Sequence, residues 1–88
     1  MNKILIQLWE TSYQDNTIDS DGCSLHIDME SRNLYTSLNS TKEERYVGHP
    51  TIIEVNQSIF ETVQKNKSIR LSEIELNNLI GLKDIIPL

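Results

Sequence analysis

Residues 17–28 read TIDSDGCSLHID and bring Asp19, Asp21, Asp28, Cys23 and His26 together in one short stretch. Such a set could hold calcium, activate a thiol or ligate a transition metal. With Gly22 at the sixth position of an EF-hand calcium loop, Asp19, Asp21 and Asp28 fall at positions three, five and twelve. Position one is then Thr17, which has no carboxylate, and a short Asp stands where a bidentate Glu is needed. Position eight is Ser24 instead of an apolar residue, and the residues that follow alternate like a strand. The segment reads instead as an Asp21-Gly22 turn into a strand, with Gly22 taking a positive φ.

Cys23 and His26 are an odd number of residues apart, so on a strand they point to opposite faces and cannot form a thiolate–imidazole pair. Cys23 falls with Leu25 and Ile27, as an inert buried thiol. Ser24, His26, Asp28 and Glu30 fall on the other face, expected to be the wet one. There His26 with Asp28 could orient an imidazole, or with His49 form a site of two His and one carboxylate. A polar row on an exposed sheet face is, however, the ordinary outcome of folding. Phosphate-cradling glycine motifs are absent, and Lys65, Lys67 and Arg70 cluster where they can satisfy a helix end. The single Trp, Trp9, reads as core filling beneath a helix; as an exposed residue it would be a partner anchor, with Leu5, Ile85, Ile86 and Leu88.

The elements that position these residues follow from periodicity. KILIQLWE is a first strand with Ile4, Ile6 and Leu8 on one face and Leu5 and Trp9 on the other, as in a central strand covered on both sides or one with a face reserved for a partner. Residues 11–21 are polar and turn-forming, hence a loop. From Gly22 to Glu30, Cys23, Leu25, Ile27 and Met29 alternate with polar residues, which predicts a second strand pairing antiparallel with the first. In residues 31–47, Leu34, Tyr35 and Leu38 have helical spacing, while the Ser, Asn and Thr content argues for a loop. Gly48-His49-Pro50 reads as a turn and TIIEV as strand three. NQSIFETVQKN is an amphipathic helix, capped by a Ser58–Glu61 box or by Asn56. SIRL is a fourth strand. A Ser72–Glu75 box then opens a helix carrying Leu76, Leu79 and Ile80, which stops at Gly81, and an apolar tail follows. The sum is an α+β domain of order β-β-(α)-β-α-β-α, with a small, mostly antiparallel sheet of three to four strands and helices over one face.

The 88 residues amount to one domain, with a hydrophobic share of 38% that allows only a small core. One Cys excludes an intrachain disulfide and suits a reducing cytoplasm, and no apolar run has signal-peptide or membrane-span length. The net charge of −5 is uneven. Residues 1–31 set Lys3 against Glu10, Asp15, Asp19, Asp21, Asp28 and Glu30, while residues 32–88 are close to balanced. Such a patch repels nucleic acid and steers a basic partner.

The expectation is a small acidic interaction module without catalytic residues, metal or cofactor. It would be an inhibitor or adaptor on a larger, nucleic-acid-handling protein, in the manner of phage anti-defence factors, antitoxins or immunity proteins. Asp19, Asp21, His26, Asp28, Glu30 and Trp9 would meet the partner. The alternative is a nucleotide-sequestering protein whose pocket is shared between subunits of a homodimer or larger homo-oligomer, with Arg32, Arg45, Lys65, Lys67 and Arg70 as phosphate ligands. An enzyme built on His26 and Asp28 is the third reading.

Overall fold

The structure, a computed structural model, describes residues 2–12 and 18–71. The chain runs β1 (Lys3–Ser12), β2 (Ile18–His26), α1 (Met29–Asn39), β3 (Glu44–Glu54), α2 (Gln57–Asn66) and β4 (Ser68–Leu71). The strands form one antiparallel sheet in the order β3-β1-β2-β4, so the fold is α+β as the alternation predicts. The expected third helix, with its Ser72–Glu75 box, and the apolar tail lie outside the described residues. No helix among the described residues is long and apolar enough to cross a membrane.

Cross-strand pairing sets the two faces. Ile6 opposes Leu25 and Leu8 opposes Cys23 on one face; Leu5 opposes His26 and Gln7 opposes Ser24 on the other. On the first face Ile4, Ile6, Cys23, Leu25, Ile53 and Leu71 meet Ile59 and Val63 of α2. Each such aliphatic side chain contributes about 1.5–3 kcal/mol by leaving water. On the second face Tyr35 of α1 stacks edge-on against Trp9 and His26. The helices therefore cover both faces, not one. This is the arrangement that the two-sided apolar pattern of β1 implies, since β1 is an inner strand.

The glycine-containing segments read as turns are bulges. Leu8 pairs with Cys23 but Glu10 with Ser20, so Asp21 and Gly22 both stand across from Trp9, with Gly22 at φ 89°. β2 thus begins at Ile18, inside the expected loop, and β1 runs on to Ser12. Likewise Ile6 pairs with Thr51 and Leu8 with Val47, leaving Gly48 (φ 70°), His49 and Pro50 across from Gln7. A bulge on an edge strand is a place where Pro, which has no N–H for the ladder, does no harm.

The second strand is also shorter at its far end than the alternation predicts. β2 stops at His26, because Asp28 turns to cap α1 and accepts the Ser31 N–H at 2.8 Å. Met29 and Glu30 are consequently helical. For α2 the cap is Asn56, whose Oδ1 accepts the Ile59 N–H at 2.9 Å, rather than the Ser58–Glu61 box.

Candidate functional site

Beneath α1 lies a chain of polar groups. Trp9 Nε1–H donates to Ser24 Oγ at 2.7 Å, Ser24 Oγ meets His26 Nε2 at 2.7 Å, and His26 Nδ1 meets Ser68 Oγ at 2.7 Å. Ser68 in turn donates to the Ser31 carbonyl at 3.3 Å. The two ends impose a direction. The indole can only donate and the carbonyl can only accept, so Ser24 gives its proton to Nε2 and His26 carries its own on Nδ1. The chain ties β1, β2, β4 and α1 through one neutral imidazole.

A serine hydroxyl donating to an imidazole whose other nitrogen is oriented by a third group is the geometry of a nucleophile with its base. Here Ser24 and His26 are 0% exposed, and the indole of Trp9 already occupies the serine oxygen. No substrate carbonyl can reach that oxygen without displacing α1. Burial, reinforced by the positive charge of Arg32, lowers the His26 pKa to about 4, so the ring is neutral near pH 7. Cys23 is also 0% exposed, on the opposite face as its odd spacing from His26 predicts; burial raises its pKa to about 12, with Arg70 opposing.

An aromatic and cationic cluster surrounds the chain. Trp9 is 1% exposed, with the edges of Tyr35 and Tyr46 at centroid distances of 6.0 and 6.2 Å. The Arg70 guanidinium lies 4.4 Å from the Trp9 ring centre and pairs with Glu44 at 2.8 Å. Arg32 lies 4.7 Å from the Tyr46 ring centre. It donates twice to Gln7 Oε1, at 3.0 and 2.8 Å, while buried Gln7 spends its amide protons on the Val47 and Gly48 carbonyls at the bulge.

Several expected positions need correction. His26 and Ser24 do not line a wet face, because α1 covers it. Trp9 is core, not an exposed anchor. Asp28 and Glu30 are exposed, but at the start of α1 and not along a strand. For Asp19 and Asp21 only the backbone, in β2, is described. His49 is exposed in the β3 bulge, and among the described residues no group of three His, Cys, Asp or Glu side chains could hold a metal. The five basic residues grouped as phosphate ligands are dispersed. Arg45 pairs with Glu10 on the α2 face, Arg32 and Arg70 lie on the α1 face, Lys65 is in the last turn of α2 and Lys67 follows that helix as its cap.

The exterior offers what the interior withholds. Glu30, Leu34 and Leu38 follow one another at four-residue steps along α1, and the two leucines are 61% and 73% exposed. They line a groove of about 410 Å³ together with Tyr35 of α1 and with Asn66, Lys67 and Ser68. Asp28 lines it as well. Its hydrogen bonds from Ser31, with a smaller contribution from Lys67, hold its pKa below the ordinary carboxylate value, so it stays charged. Sequence reasoning missed this stripe because it noted the helical spacing of Leu34, Tyr35 and Leu38 but left residues 31–47 between helix and loop, and so gave them no face. The inward residues are Arg32, Tyr35 and Thr36, and the polar pair among them was the available signal.

Among the described residues, the α+β sandwich encloses Cys23, Ser24 and His26 and leaves Asp28, Glu30 and His49 exposed. Comparison with protein-family models, with curated proteins and with solved structures finds no match to this chain.

Proposed function

We propose that this protein works by binding: it is a small acidic inhibitor or adaptor, not an enzyme, and it docks on a larger protein through the outer side of α1. The observation that carries the reading is the Glu30–Leu34–Leu38 stripe beside the α1 groove, with Asp28 at its end. Exposed leucines side by side on a helix cost solvation unless a partner covers them. The carboxylates at one end specify what that partner presents, namely apolar side chains flanked by Lys or Arg. The acidic surplus of residues 1–31 adds long-range steering toward a basic surface, including one that handles nucleic acid.

The test uses the full chain as bait in an extract of its source cells, beside Leu34→Asp/Leu38→Asp and Glu30→Lys variants. A protein held by the parent chain, lost from both variants and released by added salt is the expected result. A retained set that is the same for all three baits would overturn the reading.

A further inference from the structure

We infer that the cleft between α1 and β3 is an oxyanion site centred on Arg32, shaped for a single phosphate group. The cleft lies on the other side of α1 from the leucine stripe and is lined by Arg32, Asn33, Thr36, Ser37, Ser40 and Tyr46, with a volume of about 410 Å³. It does not depend on the docking reading.

Arg32 is held in place by its neighbours. Its Nε and Nη2 donate to Gln7 Oε1 and its Nη1 to Asn33 Oδ1. Both acceptors are neutral amides, so the guanidinium is positioned without being neutralised. Of its five N–H groups, three are used and two remain. Gln7 cannot turn away, because it is fully buried and its own amide is anchored on the β3 carbonyls at 2.8 and 3.2 Å. Tyr46 removes water from one face of the guanidinium. The result is a preorganised, partly desolvated cation with its field uncancelled, and His26, on the same face of the sheet, feels that field.

The rest of the lining completes the site. None of the six residues carries a carboxylate. Asn33 uses its carbonyl on Arg32, which leaves its NH₂ to donate. Ser37 and Ser40 add hydroxyls that can turn to an oxygen. A guanidinium fork with hydroxyl and amide donors suits a tetrahedral oxyanion, and the volume is that of a small ligand site.

The test is titration of the full chain with inorganic phosphate, phosphoserine and a nucleoside monophosphate, at constant ionic strength, by NMR of the Arg32 Nε–H and the α1 amides. Saturable shifts confined to residues of this cleft are expected, with Arg32→Lys weakening binding about tenfold, as the loss of a fork of hydrogen bonds to one anion should. Ser37→Ala and Ser40→Ala, at exposed positions, should each weaken it several-fold while leaving the fold intact, so the site remains testable if the Arg32 variant unfolds. Tighter binding of the nucleotide would assign the group to a nucleotide; equal affinities would assign it to phosphate alone. Absence of saturation by all three ligands, or binding unchanged in the serine variants, would overturn the inference.

Discussion

At the scale of single residues, His26 links the buried polar chain to pH. Its folded pKa of about 4 lies below the 6.5 of an exposed imidazole, so between these values the unfolded chain holds a proton that the folded chain does not. Stability should therefore be complete above pH 6.5 and decline as the pH falls toward 4, by up to about 3 kcal/mol. Urea midpoints measured across that range check the sign, and His26→Gln should flatten the slope. Protonation also gives Nε2 a hydrogen where Ser24 already donates, so the chain from Trp9 to Ser31 cannot keep its direction. Ser24→Ala tests the same chain at neutral pH. It strands the Trp9 N–H and the His26 nitrogen, at about 1–3 kcal/mol for each buried group left unpaired, and chemical denaturation reads the loss.

At the scale of elements, much was legible and the misreadings share a cause. Alternation correctly placed Cys23 and Leu25 on one face and Ser24 and His26 on the other, and helical spacing found α2. What alternation lacks is whether the second face is covered. Ser24 and His26 are polar yet inward because they bond each other, Trp9 and Ser68, and Gln7 because it bonds Arg32 and the Val47 and Gly48 carbonyls; these partners lie up to 42 positions away, as with His26 and Ser68. Gly22 was recognised as taking a positive φ and Gly48 as part of a turn, but a turn and a bulge make the same local demand and differ only in the strand across from them. The α2 cap offers a clean discrimination. Asn56→Ala should cost about 1 kcal/mol, whereas Ser58→Ala should change stability by less than about 0.5 kcal/mol, because Asn56 holds the helix start. Thermal melts of the two variants decide it.

At the scale of the whole molecule, Trp9, Ser24, His26 and Ser68 tie β1, β2, β4 and α1 together from within, and the Leu34–Leu38 stripe lies outside them. The candidate site was legible in part. Asp28 and Glu30 were singled out and are exposed, while Trp9 and His26 were singled out and are interior. The leucine stripe was invisible because residues 31–47 were left between helix and loop; an i, i+4 apolar pair ordinarily marks the buried side of a helix, and here the aromatic Tyr35 takes that side instead. Since Leu34 and Leu38 make exposed surface, Leu34→Asp/Leu38→Asp should lower the unfolding free energy of the isolated chain by no more than about 1 kcal/mol, the cost in helix propensity, while abolishing association. Association of the parent should slow steeply with ionic strength, as steering by Asp28 and Glu30 requires, with stopped-flow mixing as the readout. The most direct measurement is amide hydrogen exchange of the chain alone and bound to the captured protein. Protection concentrated in residues 29–39 and 66–68 is the expected outcome; protection elsewhere, with exchange in α1 unchanged, would contradict the account.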